Sequence, residues 1–136
     1  FKIGKSITLR KGKDISIFAS GTMVKVALDC SKILSKNNID SEVVNVHTIK
    51  PIDNNKVNES AKNSKLIVSI EEHNVIGGLG SAIAECLVGI KNSPEQIFFG
   101  INDSYSEGGD YNFLKQKFNL TPDFISKKII SRLKEV

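Results

Sequence analysis

The sequence lacks the features of a membrane, secreted or metal-binding protein. No apolar run approaches the ~20 residues that a membrane-spanning helix requires, and the first residues do not show a signal-peptide pattern. Only two cysteines are present, and Cys30 and Cys86 have neither metal-ligand spacing nor the density of a disulfide framework. We therefore expect reduced thiols on the buried faces of two helices, a cytoplasmic location, no metal site and no membrane partner.

The chain also lacks a strong excess of charge. The 19 Lys and Arg residues against 15 Asp and Glu residues give a net charge of +4, and no nucleic-acid-binding motif accompanies the basic ones. We interpret the basic residues as a solvated surface and expect no nucleic-acid partner. With 40% hydrophobic residues, a chain of 136 residues suits one domain with one core. Because the sequence opens with Phe1 in mid-pattern, we expect residues 1–136 to be a single domain of a longer chain.

What the sequence does contain is an alternation of strand and helix patterns. Continuous apolar runs at Ile15–Ala19 and Leu66–Ile70 predict buried strands. Apolar positions at helical spacing predict helices that begin near Met23 and Leu79. The remaining predicted elements are strands at Ser6–Arg10, Val43–Val46 and Gln96–Ile101 and helices at Asn54–Lys62, Tyr111–Phe118 and Pro122–Leu133.

This alternation predicts the fold class. Short apolar strands separated by helices indicate a mostly parallel sheet with helices on both faces. The turn at Gly12–Asp14 is short and contains glycine, which favours an antiparallel hairpin between the first two strands. The expected fold is therefore α/β, a three-layer α/β/α domain with a mixed, mostly parallel sheet of about five strands, one of them antiparallel.

Polar segments follow four of the predicted strands. The carboxyl ends of parallel strands share one edge of a sheet, where ligands usually bind. Thr22, just ahead of the helix that begins near Met23, also stands where a helix N-cap is expected. The segments expected at this edge are Ser20–Thr22, His47–Thr48, Glu71–His73 and Asn102–Ser104.

Three glycines, Gly77, Gly78 and Gly80, lie at the start of the helix that follows Glu71–His73. Free N–H groups at such a helix start could admit an anion, yet the spacing does not match a dinucleotide-binding or phosphate-binding loop. A tight turn or close packing against another surface is the favoured interpretation. The sequence leaves both an anion site and a packing surface open.

Glu71 and Glu72 are adjacent, so an extended backbone directs their side chains to opposite sides and they make a poor acid–base pair. One of them, or His73, is expected to cap a helix or to contact a partner subunit. Since no nucleophile or metal ligand lies nearby, the residues of this edge do not form a convincing catalytic set. The candidate residues for an interface or an anion site are Glu71, Glu72, His73, Gly77, Gly78, Gly80, Ser20 and Thr22.

A set of segments, taken in order, resembles the transketolase C-terminal domain. The segments are Gly12–Ile15 with Ala19–Thr22, His47–Asp53, Ile70–Ala82, Gly100–Gly109 and Leu120–Ile125. The resemblance covers nearly the whole chain, with Tyr105 where Phe is common and Gly108 where Ser is common. Asn119 replaces a usual Gly, and Asn tolerates the left-handed backbone conformation that glycine would provide.

The resemblance implies a parent enzyme that uses thiamine diphosphate and Mg²⁺ to transfer a two-carbon ketol unit between sugar phosphates, as in the pentose phosphate pathway. Pyrimidine- and diphosphate-binding domains, upstream in the same chain or in a partner subunit, would hold the cofactor. This domain would contribute to the interface of a homodimer. By itself it would bind no cofactor and would be inactive.

Three alternatives accompany this interpretation. The resemblance extends to the C-terminal domains of 1-deoxyxylulose-5-phosphate synthase and, more distantly, of 2-oxo-acid dehydrogenase beta subunits. The residues alone also leave open a protein of another class, a freestanding regulatory module that binds an anion at Gly77–Gly80.

Overall fold

The computed structural model describes residues 2–101 and 119–135. The helix expected at Tyr111–Phe118 and the polar segment Asn102–Ser104 lie outside the described residues. Within the described ranges, strands and helices alternate as the sequence predicts. The strands are β1 (Ile7–Arg10), β2 (Ile15–Ala19), β3 (Ser41–Asn45), β4 (Leu66–Asn74) and β5 (Glu95–Ile101). The helices are α1 (Met23–Lys36), α2 (Asn54–Asn63), α3 (Leu79–Val88) and α4 (Pro122–Leu133).

The strands form one mixed sheet between two layers of helices. Their order is β1-β3-β2-β4-β5; the pairs among β2, β3, β4 and β5 are parallel, and β1 is antiparallel to β3. Helices α1 and α4 contribute to the core on one face, and α2 and α3 contribute to the core on the other. The predicted three-layer α/β/α fold with one antiparallel strand is therefore confirmed.

The apolar strands are buried on both faces of the sheet. Along β2, Ile17 packs in the core beneath α1 and α4, whereas Phe18 packs in the core beneath α2 and α3, and both side chains are 0% exposed. Full burial of such a side chain stabilises a fold by roughly 1.5–3 kcal/mol. Because each apolar residue of β2 is covered by a helical layer, the continuous apolar pattern requires helices on both sides.

The predicted hairpin between β1 and β2 is wrong, because β1 pairs with β3 instead. The connection between β1 and β2 crosses over the start of β3. A Cβ atom on Gly12 would lie 2.5 Å from the backbone nitrogen of Glu42, a distance that no real side chain tolerates. The N–H of Asp14 then donates to the carbonyl of Asp40 at 2.8 Å. Gly12 therefore permits a close backbone crossing rather than a tight hairpin turn.

A buried polar cluster joins β2, β3 and α2 near the amino ends of the strands. The carboxylate of Glu42, only 8% exposed, accepts hydrogen bonds from Ser16 Oγ at 2.8 Å and Ser60 Oγ at 2.6 Å. Its second oxygen accepts one from Lys56 Nζ at 2.5 Å. Because both oxygens are hydrogen-bonded, the buried carboxylate is satisfied and joins α2 to the sheet.

Substitution of Glu42 tests this cluster. Glu42→Gln should lower the free energy of unfolding by about 2–3 kcal/mol, because the ammonium of Lys56 would stay nearly buried without its carboxylate. Glu59→Gln is the matched control, since Glu59 lies 3.8 Å from the same ammonium but is largely exposed. The control should change stability by no more than about 0.5 kcal/mol. Urea denaturation measures both variants, and equal losses would show that the buried Glu42–Lys56 pair stabilises the fold no more than the exposed Glu59 does.

Candidate functional site

The residues Glu71–His73 belong to β4, although the sequence predicts that this strand ends at Ile70. The alternation of a strand determines where their side chains lie. Glu71 is 1% exposed and points into the fold, whereas Glu72 and His73 are exposed. The two adjacent carboxylates therefore lie on opposite sides of the strand, as the sequence predicts, and they cannot act together as an acid–base pair.

The carboxylate of Glu71 caps helix α3 from inside the fold. Its Oε1 accepts a hydrogen bond from the N–H of Leu79 at 2.9 Å, and its Oε2 accepts one from the N–H of Gly80 at 2.8 Å. Gly78 occupies the N-cap position, and no side-chain bond caps the helix from there. The positive end of the helix dipole also interacts favourably with a carboxylate at this place. The amides of Leu79 and Gly80, which would belong to an anion site, are therefore already occupied by the protein's own carboxylate.

The other glycines in this segment serve the turn and the packing. Gly77 has φ of +80°, a conformation that favours glycine, and its N–H donates to Ser81 Oγ at 2.9 Å. A Cβ atom on Gly80 would lie 2.8 Å from both Ser69 Oγ and Cε2 of the Phe98 ring. Gly80 therefore lets α3 approach the sheet more closely than any residue with a side chain would.

Thr22 and Glu72 meet at the carboxyl edge of the sheet. Thr22 occupies the N-cap position of α1, as predicted, but its hydroxyl does not cap the helix. Its φ of −66° and ψ of −19° are helical, whereas a capping side chain requires an extended N-cap residue. The hydroxyl donates instead to the carboxylate of Glu72, and the carbonyl of Ser20 accepts from the N–H of Met23 at 3.2 Å. The structure thus brings Ser20, Thr22 and Glu72 to one edge.

Asp53 is a polar residue whose role the sequence does not indicate. Its Oδ1 accepts from the N–H of Lys56 at 3.2 Å and caps α2, while its Oδ2 accepts from the N–H and the hydroxyl of Ser6 at 2.9 and 3.0 Å. Partial burial tends to raise the pKa of this carboxyl, but the hydrogen bonds and the charge of Lys5 outweigh burial and lower it below its usual value. The Asp53 carboxylate therefore holds two segments of the chain while it is charged.

The two cysteines differ in burial. Cys30 is fully buried as predicted, with Sγ 3.1 Å from Ser126 Oγ, and burial raises the pKa of its thiol to about 11 against the opposing effect of that hydrogen bond. Cys86 packs against the core beneath α2 and α3 as predicted but is only partly buried, and its thiol donates to Asn54 Oδ1 at 2.7 Å. Burial and the charge of Glu85 raise its pKa. Neither thiol is activated as a nucleophile, since that requires a lowered pKa.

The described residues do not fit a metal–diphosphate centre. Among residues 2–101 and 119–135, no group of three His, Cys, Asp or Glu side chains could hold a metal ion. The amides at the start of α3 are bound by Glu71, so they are closed to a diphosphate. Over the same ranges of the chain, no helix is long and apolar enough to cross a membrane.

The exposed part of the carboxyl edge combines polar and apolar groups. Ile76 is 68% exposed and lies in the turn between β4 and α3. A single exposed apolar side chain is common on protein surfaces, and that of Ile76 is accessible for contact with another protein. We use the term edge surface for the exposed residues Glu72, His73, Ile76 and Gly77.

Residues 4–123 match the family model for the transketolase C-terminal domain. The chain belongs to this family. It is 42% identical over 137 residues to the 6-deoxy-6-sulfo-D-fructose transketolase subunit of Clostridium sp. strain MSTE9, an alignment that covers 100% of this chain and 41% of the relative. It is 35% identical over 136 residues to the 1-deoxy-D-xylulose-5-phosphate synthase of Caldanaerobacter subterraneus, which covers 100% of this chain and 22% of that protein.

A solved structure shows the same domain. A split-gene transketolase, described as an inactive beta4 tetramer, superposes with a TM-score of 0.91 and 36% sequence identity. The superposition covers 98% of this chain and 44% of that chain. This transketolase C-terminal domain therefore spans less than half the length of each of these relatives.

Removal of the Glu71 carboxylate should open an anion site. We expect Glu71→Ala to destabilise the domain by about 3 kcal/mol, because two amides at the start of α3 lose a charged acceptor. Formate is small enough to occupy the vacated place and should restore part of the thermal stability of this variant. Thermal denaturation in sodium formate, compared with sodium chloride at equal ionic strength, measures the effect.

The control for this experiment is Glu72→Ala, which removes the adjacent but exposed carboxylate. Formate should stabilise neither this variant nor the unmodified domain. The contrary result is that formate stabilises the unmodified domain as much as it stabilises the Glu71→Ala variant. That result would show that anions reach the α3 amides in the unmodified domain, and the anion-binding module would become the better interpretation.

Proposed function

We propose that this chain is the C-terminal domain of a thiamine-diphosphate-dependent transketolase that transfers a two-carbon ketol unit between sugar phosphates in the cytoplasm. The observation that supports this most directly is the 42% identity, over the whole chain, to a transketolase subunit of which the chain spans only 41%. When bound, the cofactor supplies the carbanion chemistry of this reaction. Thiamine diphosphate and Mg²⁺ would be held by pyrimidine- and diphosphate-binding domains that precede this one or belong to a partner subunit.

The geometry of the carboxyl edge supports a role in contact rather than in chemistry. Glu71 binds helix α3, Glu72 accepts from Thr22, and Asp53 binds Ser6 and helix α2. These carboxylates are engaged in internal contacts that a substrate would have to break. The exposed apolar group at this edge, Ile76, has no chemistry to offer a sugar phosphate but can pack against another protein surface.

An activity assay tests the proposed reaction. The complete gene product, with any partner subunit, should transfer a two-carbon unit from a ketose phosphate to an aldose phosphate only when thiamine diphosphate and Mg²⁺ are present. Residues 1–136 alone should show no transfer under the same conditions. Product formation is measured by chromatography and mass spectrometry. A complete protein that binds the cofactor but transfers no two-carbon unit from any ketose would contradict the proposal.

A second candidate is 1-deoxy-D-xylulose-5-phosphate synthase. The 35% identity over the whole chain to such an enzyme favours this candidate over unrelated activities. The same assay separates the two, because formation of 1-deoxy-D-xylulose 5-phosphate would identify the synthase. The donor is a further variable, since one relative is named for 6-deoxy-6-sulfo-D-fructose, and this sugar should be compared with a ketose phosphate.

We further propose that the edge surface contacts the second subunit of a homodimer. Gly78 is buried, so its substitution would disturb the fold as well as an interface. Ile76 is the better probe, because its side chain is 68% exposed. Burying an unpaired charge in a protein interface opposes association.

Ile76→Asp should therefore weaken dimerisation of the complete protein by about tenfold or more. Val88→Asp is the matched control, since Val88 is 86% exposed at the opposite end of helix α3 and should not affect association. Sedimentation velocity over a range of concentrations measures the dimer dissociation constant. Dimers of equal affinity in both variants would show that the edge surface is not the interface.

A further inference from the structure

The segment Lys2–Ser6 precedes β1 and lies in neither a strand nor a helix, yet it is attached to the loop His47–Asp53. The N–H of Gly4 donates to Thr48 Oγ1 at 2.8 Å. Gly4 has φ of +79°, and a Cβ atom there would lie 3.2 Å from Cγ of Pro51. The segment therefore passes so close to the loop that glycine is favoured at the crossing.

Two further contacts hold the ends of this segment. At one end, the ring nitrogen Nε2 of His47 lies 3.1 Å from the carbonyl oxygen of Lys2. At the other end, Asp53 Oδ2 accepts from both the N–H and the hydroxyl of Ser6. Fixing an irregular segment costs conformational entropy, which these polar contacts offset. We call the segment Lys2–Ser6 together with the loop His47–Asp53 the clasp.

The clasp lies at the carboxyl edge of the sheet. Because β1 is antiparallel to β3, the residues that precede β1 lie beside the loop that follows β3. The other side of that loop faces helix α3. Ile49, Lys50 and Ile52 line a groove of about 350 Å³ whose opposite wall includes Gly77 and Gly78. One loop therefore borders both the entering chain and the turn that presents the edge surface.

We propose that the clasp sets the position of this domain relative to the part of the protein that precedes Lys2, with Thr48 and Asp53 as the positioning residues. This inference rests on the proposed function, in which a further domain precedes this one and the edge surface is in contact with protein. Asp53 is suited to the role because its two oxygens join the entering chain to helix α2. Asp53 thereby attaches the segment Lys2–Ser6 to the folded core, so the polypeptide that precedes it would leave the domain in one direction.

Limited proteolysis and hydrogen exchange of the complete protein test the proposal. Lys2 and Lys5 are exposed trypsin sites within the clasp. Thr48→Val removes the acceptor for Gly4, and Asp53→Ser keeps a side chain that can cap α2 but is too short to reach Ser6. Each variant should increase the rate of cleavage at Lys2 and Lys5 by about tenfold, as expected for the loss of one or two hydrogen bonds.

The second measurement detects the position of the domain. Exchange of the amides in peptides that contain residues 72–77 should also become faster in both variants, because the edge surface would no longer be held against its partner. Peptides from α1 and α4 should be unchanged. Thr48→Ser retains the hydroxyl and should behave as the unmodified protein in both measurements, which separates the hydrogen bond from a general effect of substitution at this site.

Each other result has a definite meaning. Unchanged cleavage at Lys2 and Lys5 in Thr48→Val and Asp53→Ser would show that the clasp does not hold the segment. Faster cleavage with unchanged exchange at residues 72–77 would show that the clasp exists but does not position the domain. If residues 72–77 exchanged freely even in the unmodified complete protein, the proposed contact itself would be wrong, and the positioning role would fall with it.

Discussion

The bond between the Glu71 carboxylate and the start of helix α3 determines how the carboxyl edge of this domain is arranged. Gly78 offers no capping side chain, so the first amides of α3 need an acceptor from elsewhere, and β4 supplies it. Once Glu71 points inward, the alternation of the strand directs Glu72 outward, where Thr22 donates to it. A single buried carboxylate therefore occupies the first amides of α3 and helps to determine which residues of β4 are exposed.

Patterns that depend on neighbouring residues were sufficient to predict most of the fold. The apolar run Ile15–Ala19 indicates a strand buried on both faces, and this strand lies in the middle of the sheet. The start of helix Pro122–Leu133 follows from the Pro at its first position and the Thr before it, and Thr121 caps the helix. Asn119 adopts φ of +59°, the left-handed conformation that Asn tolerates and that the resemblance to the family predicts here. In each case the physical cause lies in neighbouring residues, so the feature can be predicted from a short stretch of sequence.

Features that depend on distant parts of the chain were not predicted, because their physical cause is not local in the sequence. Gly12 lies in a segment that resembles a hairpin turn. Glycine is required there because the backbone of Ser41 and Glu42, at the start of β3, leaves no space for a side chain. Glu42 directly precedes the predicted strand Val43–Val46, and nothing near it in the sequence indicates that Ser16, Lys56 and Ser60 will bind its carboxylate. No short-range pattern distinguishes a carboxylate that will be buried with three donors from one that will face water.

Three carboxylates of this domain stabilise its own structure. Glu71 stabilises a helix, Asp53 joins a helix to the segment Lys2–Ser6, and Glu42 binds a lysine inside the fold. Hydrogen bonds within the fold hold each of these carboxylates in place, whereas a general acid or base must lie within hydrogen-bond reach of a substrate. These carboxylates therefore support the fold of this transketolase C-terminal domain and help to determine which residues its carboxyl edge exposes.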